Sequence, residues 1–182
     1  MVAYSKGMPV GTPAPAFRLP GVDGETYSLD SFRDAKLLVV IFTCNHCPYA
    51  QALEQRFIEL QRDYAGAGVR LCAISSNDDR SYPDDSFANM KVRAHDNGWN
   101  FPYLHDASQD VARAYDAACT PDIFVFDAER KLRYNGRCDD NWKEPDKVKQ
   151  RELRRALDLL LAGQVIDFPV QPALGCSIKW LA

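Results

Sequence analysis

Two hydrophobic periodicities divide this chain into strands and helices. Residues 37–43 and 69–75 are runs of β-branched, aromatic and other apolar side chains, which is typical of strands buried on both faces. Between them, apolar residues recur at spacings of three and four from Tyr49 to Tyr64, which predicts an amphipathic helix. A strand, a helix and a second strand make a βαβ unit, so we expect the two strands to be parallel.

Shorter patterns extend this unit into an α/β fold. The turn dipeptide Asp23-Gly24 lies between residues 17–19 and 26–29 and predicts a hairpin. The proline- and glycine-rich residues 1–16 predict a loosely held arm. The remaining predicted elements are a helix that begins after Asp84 or Asp85 and ends at Gly98, a strand at 101–104, a helix at 109–118, strands at 122–127 and 131–135, and a helix at 148–162. We expect a central mixed sheet flanked by helices, with an N-terminal β-hairpin and a C-terminal tail.

Length and charge narrow the classes of protein. The 182 residues suit one domain over 1–182, with a core at about 10–162 and a tail at 163–182. The net charge of -3 gives no basic excess for binding nucleic acid or an anionic membrane. We see neither a signal peptide nor an apolar run long enough to span a membrane, so we expect a cytoplasmic protein. Its six cysteines should then be mostly reduced. We expect a monomer or weak homodimer without a cofactor.

The residues that could carry chemistry directly follow the first buried strand. There the sequence reads Cys44-Asn45-His46-Cys47-Pro48, and the predicted helix follows. A C-x-x-C pair between a strand and a helix is a redox signature. Unpaired N–H groups and the positive dipole end of the first helical turn stabilise a thiolate, which is the form that attacks disulfides. A structural cysteine pair or half of a metal site is the alternative.

The order of elements and three motifs resemble the thioredoxin superfamily. The motifs are Ala14-Pro15-Ala16-Phe17, the C-x-x-C with its proline, and Thr120-Pro121 before the strand at 122–127. The chain looks closest to the redoxin branch, which includes peroxiredoxins and TlpA-type thiol–disulfide oxidoreductases. The tail is similar to that of an uncharacterised peroxiredoxin-like subgroup. The resemblance implies a thioredoxin-like fold.

The resemblance also implies roles for four residues. Cys44 is expected to be the nucleophile and Cys47 the resolving cysteine. Pro121 is expected to be a cis-proline that faces the pair and offers backbone groups to an extended substrate. His46 occupies a position that is also histidine in disulfide isomerases and oxidases, where a positive imidazole favours the thiolate and makes the pair more oxidising.

Departures from the related families separate the function hypotheses. If Cys47 is aligned with a peroxidatic cysteine, Val40 and Cys44 stand where peroxiredoxins carry Pro and Thr or Ser. Thr120-Pro121 stands where their peroxide-activating arginine is expected. Leu38 replaces the buried aspartate of thioredoxin. Dithiol–disulfide exchange is therefore our first hypothesis, and peroxide reduction by Cys47 is the second.

A third hypothesis is a metallochaperone in which two thiolates and an imidazole bind Cu(I) or another soft metal. For the exchange hypothesis, we expect protein or small-molecule disulfides and thiols as substrates, with an unidentified electron donor or acceptor. Cys138 and Cys176 are expected to be more open, and each is either a packed free thiol or a third redox cysteine. Secondary expectations are Cys72 in the core, Cys119 as an incidental small side chain, and Asn77, Asp78 and Asp106 at the rim of the site.

Overall fold

The computed structural model describes all residues 1–182 and contains ten strands and four α-helices. The strands are β1 (Val2–Tyr4), β2 (Arg18–Pro20), β3 (Thr26–Ser28), β4 (Leu37–Thr43), β5 (Val69–Ser75), β6 (Tyr103–His105), β7 (Cys119–Thr120), β8 (Asp122–Phe126), β9 (Leu132–Asn135) and β10 (Leu174–Ser177). The helices are α1 (Pro48–Tyr64), α2 (Phe87–Asp96), α3 (Asp110–Ala114) and α4 (Glu152–Leu161). None of these helices combines the length and the apolar character needed to cross a membrane.

The central sheet has five strands in the order β6-β5-β4-β8-β9. Strands β4, β5 and β6 are parallel, whereas β8 and β9 add antiparallel partners on the other side of β4. The predicted parallel pair, the mixed sheet and the β2–β3 hairpin are therefore confirmed. Because the parallel strands all end at the same edge, the loops that follow them converge there.

Helices and the hairpin cover the two faces of β4. Alternate strand residues point to opposite faces, and every residue from 37 to 43 is buried. One face meets α1, α2 and α4, through Leu37, Val39, Ile41, Leu53, Phe57, Leu60, Met90, Leu153 and Leu157. The other face meets α3, the hairpin and the turn before β4, through Leu38, Val40, Phe42, Phe17, Leu19, Phe32, Val111 and Tyr115. Because both faces of β4 are buried, its sequence does not alternate between apolar and polar residues.

Three predicted helices are shorter than their sequence patterns indicate. Helix α3 ends well before residue 118, because Asp116 adopts a positive φ of 48°. Helix α4 begins at Glu152 rather than at residue 148, since Pro145–Lys147 form a separate 3-10 turn. Helix α2 is capped by Ser86, whose Oγ accepts a hydrogen bond from the Asn89 amide. The prediction that Asp84 or Asp85 caps it was wrong.

The two termini form a second, three-stranded sheet. Strand β10 pairs antiparallel with β1 on one side and with β7 on the other. The prediction of a loosely held arm is therefore wrong for Val2–Tyr4, and the C-terminal tail contains a strand that the sequence pattern did not indicate. In the β10–β7 ladder, Cys176 lies opposite Thr120. The tail thus reaches the segment where we expected Pro121 to face the cysteine pair.

We predict that Gly175→Ala destabilises the protein and displaces β10. A Cβ at this position would lie 2.0 Å from the Thr120 carbonyl oxygen, which is backbone and cannot turn aside. Overpacking of this kind costs about 1–3 kcal/mol. In thermal unfolding, the melting temperature should then fall by about 2–4 °C for each kcal/mol of lost stability.

Gly66→Ala is the matched control, because a Cβ there meets nothing within 4 Å and the residue has no positive φ. We expect this variant to unfold at the wild-type temperature or slightly above it. Equal melting temperatures for the two variants would contradict a tight β10–β7 contact.

Candidate active site

Cys44 and Cys47 lie in the turn that joins β4 to α1. Cys47 is the N-cap of the helix and Pro48 its first residue, a position that suits proline because its missing N–H would be unpaired there. Cys44 is 3% exposed and Cys47 is fully buried. Both are free thiols, as are the other four cysteines. The predicted pair therefore stands at a helix N-terminus, enclosed by protein.

Thr120, which precedes Pro121, contacts both sulfurs of the pair. The Thr120–Pro121 peptide bond is cis. The Cys47 thiol donates to the Thr120 carbonyl oxygen at 3.0 Å, and Cys44 Sγ lies 3.5 Å from Thr120 Oγ1. The Thr120 hydroxyl also lies 3.5 Å from the Cys176 carbonyl oxygen. It can therefore donate either to the Cys44 sulfur or to that carbonyl.

The two thiols titrate as a coupled pair that shares one proton. A hydrogen bond from the Cys44 thiol lowers the pKa of Cys47, and the Thr120 side chain and the Ala50 amide lower it further against the opposing effect of burial. The same hydrogen bond raises the pKa of Cys44, and burial raises it too. The pair thus yields one thiolate readily and holds its second proton firmly.

Asp85 anchors the turn between the cysteines, a role that was not predicted from the sequence. Its buried carboxylate accepts hydrogen bonds from the backbone N–H groups of Asn45, at 2.7 Å, and His46, at 3.1 Å. It also accepts from Asn77 Nδ2 at 2.8 Å. Charged acceptors bind such donors more strongly than neutral ones. No sequence signal indicates the role, because Asp85 is 40 residues from Asn45.

Asp85 and Tyr82 both contact the His46 ring. Its Nδ1 lies 2.5 Å from Asp85 Oδ2, and its ring stacks on Tyr82 with centroids 5.3 Å apart. Nδ1 therefore carries the hydrogen that Asp85 accepts. The Cys44 sulfur, a ring nitrogen of His46 and a carboxylate oxygen of Asp85 all lie within 4.8 Å of one another. This set differs from the predicted Cu(I) ligands by an acidic oxygen in place of Cys47, and carboxylates suit harder metals than Cu(I).

The other expected neighbours divide between the site and the core. Asn77 reaches the site through Asp85, whereas Asp78 instead accepts from the Arg80 amide. Asp106 was wrongly placed at the rim, since it is fully buried and binds Ser76 Oγ and an α3 amide.

The four other cysteines differ in how far they reach the site. Cys72 is a core residue, as predicted. Cys138 is buried in the opposite core cluster, so the expectation that it is open was wrong, and burial raises its pKa. Cys119 is buried beside the site, with its sulfur directed at backbone carbonyls. Cys176 is half-buried and packs against the pair, and burial together with the contact to Cys47 raises its pKa to about 11.

We predict that Asp85→Asn loosens the Cys44–Cys47 turn. The amide keeps the size of the side chain but removes the charge and replaces one acceptor with a donor that faces N–H groups. Leaving such buried donors unpaired costs about 1–3 kcal/mol. The loss should appear in denaturant unfolding and as a changed rate of alkylation of the reduced pair.

Asp84→Asn is the neighbouring control, since Asp84 is exposed and only its carbonyl contacts the turn. It should unfold and react as the wild type does. An Asp85→Asn protein that matches this control in both measurements would refute the anchoring role.

Comparison with solved structures identifies relatives of the fold. An uncharacterised conserved protein from Geobacillus kaustophilus is 42% identical, with a TM-score of 0.94 over 100% of this chain and 97% of that one. The thioredoxin domain of a thiol-disulfide oxidoreductase from Bacteroides vulgatus is 19% identical, with a TM-score of 0.60 over 71% of this chain and 89% of that one, and it shows that the fold is thioredoxin-like.

Sequence comparison gives the family. A peroxiredoxin-like protein of Mycobacterium tuberculosis is 28% identical over 107 residues, which are 59% of this chain and 63% of the relative, so the match spans less than two thirds of that protein. The model of the AhpC/TSA family matches residues 10–135, which contain the C-x-x-C turn and Thr120-Pro121. This chain therefore belongs to the AhpC/TSA family.

Proposed function

We propose that the protein is a thiol–disulfide oxidoreductase that uses Cys44 as nucleophile and Cys47 as resolving cysteine. The observation that carries the proposal is that both thiols lie at the N-terminus of α1 and contact Thr120, which precedes the cis-proline. A thiolate is stabilised by hydrogen bonds from the remaining thiol and from the Thr120 hydroxyl. When Cys47 is protonated, its thiol donates a hydrogen bond to the Thr120 carbonyl oxygen at 3.0 Å.

The directions of the two pKa shifts favour the thiolate on Cys47, so the proposed cycle begins from the other state of the pair, with the proton on Cys47. The Cys44 thiolate attacks one sulfur of a substrate disulfide, and the other sulfur leaves as a thiolate that takes up a proton. Cys47 then loses its proton and attacks Cys44 in the mixed disulfide, which expels the second substrate thiol. The substrate gains two electrons and two protons, and the enzyme keeps a Cys44–Cys47 disulfide. A thiol donor restores the pair, and the reverse direction oxidises a dithiol.

His46 and Asp85 are proposed to serve this cycle as a positioning pair. The Asp85 carboxylate fixes the imidazole through its contact with His46 Nδ1. It fixes the turn by accepting hydrogen bonds from the backbone amides of Asn45 and His46. A positive imidazole within 4.8 Å of the Cys44 sulfur would favour the thiolate, whereas the charge of Asp85 raises the pKa of Cys44. Protein or small-molecule disulfides and thiols are the proposed partners.

The nucleophile can be identified by trapping. With Cys47→Ser and a chromogenic aromatic disulfide, we expect a mixed disulfide that accumulates on Cys44, because the resolving thiol is absent. With Cys44→Ser, we expect no stable adduct on Cys47, which has no exposed surface. Mass spectrometry of peptides identifies the linked cysteine, and insulin reduction with a dithiol donor measures turnover.

Cys138→Ala is the control for the loss of a buried thiol elsewhere, and it should retain wild-type turnover. Undiminished turnover in Cys44→Ser would eliminate the proposed cycle. Trapping on Cys47 alone would reverse the two roles.

Peroxide reduction is the second candidate, and the lowered pKa of Cys47 favours it. In this chemistry, the Cys47 thiolate takes one oxygen from hydrogen peroxide and becomes a sulfenic acid, with the other oxygen released as water. Cys44 then condenses with the sulfenic acid and releases a second water. The Thr120 hydroxyl lies beside Cys44, although it comes from a different chain segment than the threonine of the peroxiredoxin pattern.

We predict that the reduced protein reacts with hydrogen peroxide no faster than a free thiolate. The Cys47 sulfur is enclosed, and no arginine is among the hydrogen-bonding partners of either cysteine. Stopped-flow measurement of the Cys47 reaction tests this expectation. A rate far above that of free thiolate, lost in Cys47→Ser and kept in Cys44→Ser, would replace the exchange function by the peroxidase function.

A further inference from the structure

Strand β10 brings a third thiol to the Cys44–Cys47 pair. Cys176 lies opposite Thr120 in the β10–β7 ladder, and it packs against Cys44, Cys47 and Ala50. Thr120 contacts all three cysteines, through its hydroxyl to the Cys44 sulfur and the Cys176 carbonyl and through its own carbonyl to the Cys47 sulfur. The three thiols therefore form one cluster.

The tail beyond β10 fixes this thiol in place. The Lys179 amide donates to Asn77 Oδ1 at 2.9 Å, and the Lys179 carbonyl accepts from the Asp78 amide at 2.8 Å. The Leu181 amide donates to Gln109 Oε1 at 2.8 Å. Together with the pairing of Leu174 and Gly175 to β1, these contacts anchor β10 on both sides of Cys176.

The three thiols differ in how far solvent reaches them. Cys44 and Cys47 are buried, whereas Cys176 is only half-buried. A thiol that enters from solvent therefore meets Cys176 more readily than either cysteine of the buried pair. The two-cysteine cycle leaves Cys176 without a task.

We propose that Cys176 is a third redox-active cysteine, which takes over the disulfide from the Cys44–Cys47 pair and presents it to an external thiol. The proposal rests on the proposed exchange function and adds the route by which the pair is reduced again. The external partner is a low-molecular-weight thiol or another thiol that reaches the half-buried sulfur.

The steps balance without any further oxidant. The Cys176 thiol loses its proton and attacks Cys47 in the Cys44–Cys47 disulfide, so that Cys44 leaves and takes up that proton. An external thiol then attacks Cys176 in the new disulfide, and Cys47 leaves as a thiol. A second external thiol then attacks the sulfur of the first, so that the two donors form a disulfide and Cys176 leaves as a thiol. The donor pair loses two electrons and two protons, and the enzyme regains three thiols.

Disulfide mapping in Cys44→Ala tests the contact on which the relay depends. With the competing partner removed, diamide can take two electrons and two protons from Cys47 and Cys176. We expect loss of both thiols and a Cys47–Cys176 link in most molecules, within one chain. Circular dichroism checks folding, and Cys44→Ser replaces Cys44→Ala if the alanine variant does not fold.

Two double variants serve as matched controls. Adding Cys119→Ala should leave the link intact, since the Cys119 sulfur contacts the carbonyls of Pro121 and Ala173. Adding Cys176→Ala should abolish the link. The relay is overturned if the single variant keeps both thiols, links Cys47 to another cysteine, or forms only dimers through Cys176.

The two proposals fail in different experiments. Wild-type insulin turnover that survives Cys44→Ser would remove the exchange function, whatever disulfide diamide produces. Turnover that depends on Cys44, without any Cys47–Cys176 link in Cys44→Ala, would remove the relay alone. Both proposals are supported by turnover that depends on Cys44, a Cys47–Cys176 link in Cys44→Ala, and slower regeneration of Cys176→Ala by a small thiol.

Discussion

Burial of β4 on both faces is the constraint on which the rest of the structure depends. All seven residues from Leu37 to Thr43 are buried, so each face needs its own cover. Helices α1, α2 and α4 cover one face, and α3 with the β2–β3 hairpin covers the other. A strand in this position ends where the loops of its parallel neighbours converge. Cys44 follows at once, so the packing that fixes β4 also fixes the position of the Cys44 sulfur.

The buried carboxylate of Asp85 fixes the turn that follows β4. Isolated charges are costly to bury, but Asp85 accepts hydrogen bonds from two backbone amides, Asn77 and His46. The same contacts define the turn and orient the imidazole near the Cys44 sulfur. The resemblance to thioredoxin implies a buried aspartate on the central strand, but this chain has Leu38 at that position. Here the acid at the site comes from the turn before α2.

Local features explain which parts could be predicted from the sequence. Strands β4 and β5, helix α1 and the C-x-x-C turn follow from short periodicities and neighbouring residues, and the structure contains them. The role of Asp85 and the strand β10 depend on contacts between distant segments, which leave no local pattern. The segment 174–177 reads Leu-Gly-Cys-Ser, without apolar alternation, and is a strand because it pairs with β1 and β7. Gly175 permits that pairing, because any side chain there would strike the Thr120 carbonyl.

The C-terminal strand also bears on what reaches the dithiol. The family resemblance assigns the backbone beside Pro121 to an extended substrate segment, but in this chain β10 already pairs with Thr120. A peptide could pair there only after β10 leaves. Its leaving would break the ladders to β1 and β7 and the hydrogen bonds of Lys179 and Leu181. The family model ends at residue 135, so this cover is an addition to the matched region. A small disulfide does not need the backbone edge that β10 occupies, whereas an extended peptide does.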